Sequence, residues 1–352
     1  MKLAIGKSDF ARVLGNVGRV VESRNTIPIL SNVRLIADGG KLQVTATDLD
    51  IVATDLADAD ISAPGSVCVD AKLLSTIVGK VQGDVSLTLD KGSLIVKSGR
   101  SRFTLSTLPA EDFPDFPPST YDAEFEIDLA SAFAPCVHAI STEDTRYYLQ
   151  GIYFSGGASA VAAATDGHRL SKNLPGDLPD FAGVIVPKKI VGILPKGGCH
   201  VSVSDSKIRI QAGSLTMISK LIDGTYPDIE RVIPQNNEIT FTVDRDEMMR
   251  AADRVVTISA ERGRAVKLSL APGSVALSAR SEVGDAADEV VANYTGEPID
   301  VSYNSAYLRD LLSVLPGGPV EFAVPKDHGG PGLLKSAAME GWTGVLMPLR
   351  VT

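Results

Sequence analysis

The chain is written three times over at a spacing of about 117 residues, which is the length of a whole domain. Two helix-like segments recur in each third. The first begins near Ser8, Asp128 and Asp244, in SDFARVLGNVGRVVE, DLASAFAPCVHAIS and DRDEMMRAADRVVTIS. The second begins near Asp70, Pro187 and Asn304, in DAKLLSTIVGKV, PKKIVGILPKG and NSAYLRDLLSVLP, and these three starts are evenly spaced. The pair Thr47-Asp48 of TATDLD returns as Thr165-Asp166 of AATDGH. Solenoid repeats run roughly 20–50 residues, so this period describes three like domains in a row. Such a chain suits a scaffold or a ring better than an enzyme with one pocket.

Each third follows one programme. A short strand (KLAI, EFEID, ITFTV) leads into an amphipathic helix whose starting Asp or Ser suits an N-cap. Alternating strands follow, turning at Asp38-Gly39-Gly40 and at Gly156-Gly157. The second helix comes next, then a further hairpin such as the one turning at Asp90-Lys91-Gly92. Hairpin-linked strands with two helices per unit predict α+β domains with antiparallel sheets. Proline and acidic residues cluster at 108–122 and 226–238, where a central strand could not continue, so the expected domains are 1–119, 120–237 and 238–352.

Taken alone, the net charge of −9 in 352 residues argues against a polyanionic partner, but its distribution does not. The six helix-like segments sum to about +4, leaving about −13 elsewhere, so the helices are electropositive against an acidic remainder. No run of 18 apolar residues is present, and Lys7 and Asp9 break the N-terminal apolar stretch, so neither a membrane span nor a signal peptide is expected. Cys68, Cys136 and Cys199 form no CxxC pair, which predicts reduced thiols in the cytoplasm and no zinc site. No GxxxxGK[ST] phosphate loop occurs.

The strings IPILSNV (27–33), SGRSRFTLSTLPAEDFP (98–114), RYYLQGI (146–152), TDGHRL (165–170), SKLIDGTYPD (219–228) and VLMPLR (345–350) come in one order along the whole chain. Together they resemble the bacterial sliding clamps, the beta subunits of DNA polymerase III. That resemblance implies three tandem clamp domains, each with two helices packed on antiparallel sheets, closing as a head-to-tail ring homodimer around duplex DNA. It implies a processivity factor of DNA replication without active site, cofactor or metal. Its partners would be DNA of any sequence, the replicative polymerase, a clamp loader and other proteins carrying a clamp-binding motif.

The resemblance also carries over onto particular residues. Arg24, Tyr147, Tyr148, Lys188 and Lys189 would contact DNA. Arg146, Leu149, Thr165, Gly167, His168, Arg169, Leu170, Pro227, Arg231, Val232, Tyr307, Val345, Met347, Pro348, Leu349 and Arg350 would form a groove for partner peptides. Its Leu, Val, Met and Pro side chains offer an adaptable apolar trough, and His168 and Arg169 a polar edge. At the dimer contact, Phe103 and Leu105 would meet Thr257 and Ile258, while Lys72, Arg100 and Arg102 would face Asp285, Asp288 and Glu289. Opposite charges on the two surfaces favour head-to-tail closure.

Two other readings compete. TDGHRL places Asp166, His168 and Ser171 close in sequence, as a hydrolase would, but there is no GxSxG elbow, and strand alternation sends successive residues to opposite faces. A monomeric peptide-binding scaffold is the other. Three features depart from the clamp pattern: Glu143 where relatives carry an uncharged Gln, two residues beyond the MPLR arginine, and the Gly-rich KDHGGPG at 326–332.

Overall fold

The computed structural model describes residues 1–349 apart from Ser23, Asn25, Pro118, 259–264 and 327–328. It forms two compact units, Met1–Asp128 with Gly192–Leu221, and Leu129–Val191 with Ile222–Thr352. The division runs through the middle third, and sheet pairing is the reason. In the first unit, Leu215–Lys220 of the middle third pairs with Ile51–Asp58 of the first, Ser219 opposite Ile51. In the second, Arg169–Asn173 of the middle third pairs with Thr343–Leu346 of the last, Arg169 opposite Leu346. Among the described residues these seams complete one sheet of 13 strands in the first unit and one of 12 in the second. Every strand pair within them is antiparallel, as the hairpin spacing predicted.

The helices, in chain order, are α1 (Lys7–Gly18), α2 (Ala71–Lys80), α3 (Leu129–Phe133), α4 (Lys188–Val191), α5 (Ile229–Val232), α6 (Arg245–Val256) and α7 (Ser305–Ser313). Helix α1 buries Phe10, Val13, Leu14 and Val17, the i, i+3, i+4, i+7 stripe that turns one face to the sheet. Full burial of a side chain such as Phe10 is worth about 2 kcal/mol. Asp70, Asp244 and Asn304 cap their helices through side-chain oxygens that accept from backbone N–H groups in the first turn. Ser8 does not: α1 starts at Lys7, and Gly6 holds the cap position without a side chain.

The middle third keeps the programme with shorter helices. Pro135 has no N–H to donate, so α3 stops at Phe133 and a 3-10 segment, Ala134–Ala139, carries on. Gly192 and Pro195 likewise leave α4 a single turn. Helix α5 lies inside a stretch expected to be linker, where Asp228 accepts from the Glu230 N–H at its start.

Asp38-Gly39-Gly40 and Asp90-Lys91-Gly92 both form two-residue turns with left-handed central residues, Gly39 and Gly40 at φ 55° and 76°, Lys91 and Gly92 at 45° and 76°. The Gly156-Gly157 turn is wider, because Gly157 bridges to Leu178 instead. All three cysteines are buried and free, and burial pushes the Cys136 thiol up to about 12, leaving it a protonated core side chain. No helix is long and apolar enough to cross a membrane among the described residues.

Candidate functional site

The turn Thr165–Arg169 links strands Val161–Thr165 and Arg169–Asn173 and is wired from within. The Thr165 hydroxyl donates to the Arg169 carbonyl (2.7 Å) and accepts from the Gly167 N–H (3.1 Å). Asp166 Oδ1 accepts from the N–H groups of His168 (2.9 Å) and Arg169 (3.0 Å). Gly167 sits at φ 86°, the left-handed region that favours glycine.

Arg169, expected as a polar edge of the groove, is instead an internal strut. Its Nε donates to Asp166 Oδ2 (3.1 Å), one Nη to Asp310 Oδ2 (2.5 Å) and the other to the His138 carbonyl. Its guanidinium also lies 4.4 Å from the Tyr307 ring centroid. The exposed edge is His168, whose ring stacks on Tyr307 at 5.8 Å and 20°. His138 has both ring nitrogens buried without a hydrogen-bond partner. Burial, with the Arg169 charge, lowers its pKa to about 4, so it is neutral at pH 7.

The remaining groove residues divide into floor and rim. Leu149, Leu170 and Val345 are buried in one cluster with Ala163, Ile185, Tyr226 and Ile229. Tyr226 fixes this floor to the turn, its hydroxyl accepting from the Thr165 N–H at 3.0 Å. Val345 pairs with Leu170, and the Met347 N–H donates to the His168 carbonyl (2.9 Å). Beyond it, Pro348 bridges to Tyr303 and the Leu349 N–H donates to the Ser302 carbonyl. The closing segment is therefore core to Leu346 and rim after it, with Met347 41% and Leu349 37% exposed. Val232 is exposed on α5 beside Arg231, which pairs with Asp228 at 3.0 Å, and Pro227 follows Tyr226 into that helix. Arg350 lies outside the described residues.

This geometry removes the hydrolase reading. Asp166 holds backbone and Arg169, not the His168 ring. Ser171 is buried, donating to the Pro135 carbonyl and accepting from Trp342 Nε1. No group of three or more His, Cys, Asp or Glu among the described residues could hold a metal ion.

Arg24 is exposed in the first unit. In the second, Tyr147 is exposed and packs edge-on against the half-buried Tyr148. Lys188 and Lys189 open α4, Lys188 exposed and its N–H bonded to the Gln150 carbonyl. Glu143 pairs with Arg146 at 3.3 Å, so the charge that departs from the clamp pattern is partly balanced.

Besides the terminal strands of the two sheets, two strands within them are left partly unpaired among the described residues. Ser101–Leu108 meets Gly65–Asp70 only through Thr107 and Leu108, leaving 101–106 unpaired on that side. Gly284–Asn293 meets Ile239–Asp244 only through Ala292 and Asn293, leaving 284–291 unpaired. The first edge carries Arg102 outward with Phe103 half-buried and Leu105 buried, beside the exposed Arg100; Lys72 is exposed on α2. The second carries Asp285 and Glu289 outward, with Thr257 and the half-buried Ile258 after α6. Asp288 faces inward and already pairs with Arg254 of its own chain at 2.5 Å.

Sequence reasoning did not find Tyr226, Asp310, His138 or Arg254. Asp310 had a usable signal, since it stands three residues after Tyr307 and so on the same helix face.

Models of the DNA polymerase III beta subunit match the chain as its N-terminal domain over residues 1–117, central domain over 128–228 and C-terminal domain over 230–350. The chain is 41% identical over 373 residues to the beta sliding clamp of Caulobacter vibrioides, each covered completely. It is 34% identical over 370 residues to that of Pseudomonas putida, again with complete coverage of both. Among solved structures it resembles the Caulobacter crescentus polymerase III beta subunit at a TM-score of 0.94 and 40% identity, covering 100% of both chains. A Bartonella birtlesii sliding clamp bound to griselimycin matches at 0.95 and 38%, with the same coverage.

Proposed function

The chain belongs to the DNA polymerase III beta subunit family, the bacterial sliding clamps, and from that premise we propose how its parts act. As a member it is a non-catalytic processivity factor that encircles duplex DNA without reading sequence and tethers the replicative polymerase and other clamp-binding partners. Its mechanism is topological. A closed ring stays on long DNA, so a weakly held peptide becomes lasting attachment through effective concentration.

The observation that carries the ring is the succession of seams. Within the chain, the strand after the Thr47 turn pairs with the last strand of the second third, and the strand after the Thr165 turn with the last strand of the third. Among the described residues the strand after Ser281 has no such partner, and neither has the last strand of the first third over 101–106. These two edges lie within the sheets and match the positions that the internal seams fill, so a second copy, head to tail, supplies each missing neighbour. The lining is assigned to Arg24, Tyr147, Tyr148, Lys188 and Lys189. The partner groove has Leu149, Leu170 and Val345 as floor and His168, Tyr307, Val232, Met347, Pro348 and Leu349 as rim. Domain limits of 1–119, 120–237 and 238–352 follow the linkers, and the cytoplasm, where the chromosome is copied, is the site of action.

The test loads the protein onto nicked circular DNA with a clamp loader and ATP, then linearises the circle. Retention on circles and loss from free ends is the expected result, and equal loss from both would overturn the ring.

A further inference from the structure

The three seam strands rest on helical segments, and at one position of those segments the side chain meets the strand in the first and last thirds. Asn16, His138 and Arg254 stand at the same offset from the residue before the helix (Gly6, Asp128 and Asp244). Asn16 donates to Asp55 Oδ2 at 2.7 Å, and Arg254 donates to Asp288 Oδ2 at 2.5 Å. Asp55 and Asp288 are themselves equivalent. Each stands four residues past the carbonyl, Ile51 or Gly284, that accepts from the turn hydroxyl of Thr47 or Ser281. In the seam already closed within the chain, Asp55 is fully buried and is also met from across, by the Ser214 hydroxyl at 2.6 Å and by Arg12 on α1 at 2.9 Å.

The hairpin register transfers this arrangement to the open edges. Ser98–Ser101 and Ala212–Leu215 are matching hairpin ends, so Ser101 corresponds to Leu215 and Arg100 to Ser214. Since Val52 faces Ile218 and Thr54 faces Thr216, Asp285 would face Thr104 of the second copy and Ala287 its Arg102. Arg102 then lies diagonal to Asp285 and Glu289, within reach of both. Arg100 takes the place of Ser214, beside Asp288. There it finds a carboxylate already held by Arg254, whose pKa is lowered by that bond and by the Glu289 N–H.

We propose that Arg254 sets how readily the head-to-tail seam opens, by neutralising Asp288 within its own chain before the partner's Arg100 arrives. In the Thr47 seam, which never has to part, the aspartate is held by Asn16 and Arg12 of its own third and is met from across by an uncharged serine, Ser214. In the closing seam the group arriving from across is itself a cation, so with Arg254 already on Asp288 the partner's Arg100 gains little attraction there and meets a like charge beside it. The edge thereby keeps the steering charge of Asp285 and Glu289 while the contact at its inner face stays weak. This rests on the ring reading above.

The experiment measures dimer dissociation by subunit exchange between two fluorescently labelled pools of full-length protein, at low and high salt. Arg254→Asn, which places the residue of Asn16 at this position, should slow exchange about three- to fivefold at low salt, the scale of one part-exposed ion pair, and less at high salt. Asp288→Asn should speed it, and the double variant should return close to the starting rate, because it restores the local charge balance. Arg254→Gln, which keeps most of the stem, separates loss of charge from loss of packing and should behave like Arg254→Asn. Unchanged or faster exchange in both Arg254 variants overturns the proposal, as does a double variant as fast as Asp288→Asn. Failure of the ring itself is read separately. A Thr104→Cys, Asp285→Cys chain should cross-link into dimers under oxidation, since facing residues of an antiparallel pair lie within disulfide range, while Thr104→Cys with Ala287→Cys should not.

Discussion

Two turns of this molecule are built from the same hydrogen bonds and do different things. In Thr47–Ile51 the Thr47 hydroxyl donates to the Ile51 carbonyl (2.8 Å) and accepts from Leu49 N–H (2.9 Å), while Asp48 Oδ1 accepts from Asp50 and Ile51 N–H. In Thr165–Arg169 every one of these bonds recurs, with Gly167, His168 and Arg169 in place of Leu49, Asp50 and Ile51. The next strand continues the match, since Lys220 N–H donates to the Asp50 carbonyl and Met347 N–H to that of His168. The divergence lies at two positions. Asp50 pairs with Lys220 and Ile51 is core, which makes a closed joint. His168 stacks on Tyr307 and Arg169 ties the turn to Asp310, which leaves a rimmed groove. The backbone scheme is thus shared by two joints between clamp domains, which differ in their side chains.

The comparison breaks hardest at Arg169. Arg169→Ile imports the first turn's residue and leaves Asp166 and Asp310 without their cation. Stability should fall by on the order of 3 kcal/mol, toward the lower end because Asp310 is partly exposed. Peptide affinity should fall more than tenfold, read by fluorescence anisotropy. A variant that keeps wild-type affinity would show that Arg169 does not hold the rim.

His138 sharpens the comparison through pH, because Asn16 at the matching place cannot titrate. Its pKa is about 4 when folded against 6.5 ordinarily, so between those values the unfolded chain binds the extra proton. Stability is therefore full above about pH 6.5 and declines as pH falls toward 4, by up to about 3 kcal/mol. His138→Asn should flatten that limb in urea titrations across pH, and an unaltered slope would assign it to other groups. A smaller effect is expected for Thr47→Val and Thr165→Val, each losing about 1–2 kcal/mol with the hydroxyl's two bonds. Thermal shifts should be alike, and only Thr165→Val should weaken peptide binding.

Much of this was legible in the chain because periodicity and turn chemistry are local. The repeat, the capping residues Asp70, Asp244 and Asn304, the Asp-Gly-Gly turn and the Thr-Asp pair all act within a few residues of themselves. The role of Arg169 was not, because Asp310 lies 141 residues away and only the sheet seam brings them together. Asp288 was misassigned to an outward acidic patch for a related reason. Strand alternation predicts that it faces away from Asp285 and Glu289, but the Arg254 that meets it comes from α6. The shortened helices of the middle third were foreshadowed by Pro135 and Pro195, which a repeat-based reading subordinated to the pattern of its neighbours.

The mildest test concerns the middle residue of each turn. Leu49 holds φ 78° where Gly167 holds 86°, so one copy places a branched side chain in the left-handed region. That conformation costs a non-glycine residue roughly 1–2 kcal/mol, while glycine in the unfolded chain loses roughly 0.5–1 kcal/mol more entropy on folding. Leu49 is 40% exposed, so little burial is lost on its removal. Leu49→Gly should therefore stabilise the protein by about 0.5 kcal/mol, a rise of a degree or so in Tm. The reverse exchange, Gly167→Leu, meets the same backbone strain and should destabilise. If Leu49→Gly lowers Tm instead, the leucine is making contacts at the first joint that outweigh its backbone strain. The two turns would then differ in packing as well as in side-chain chemistry.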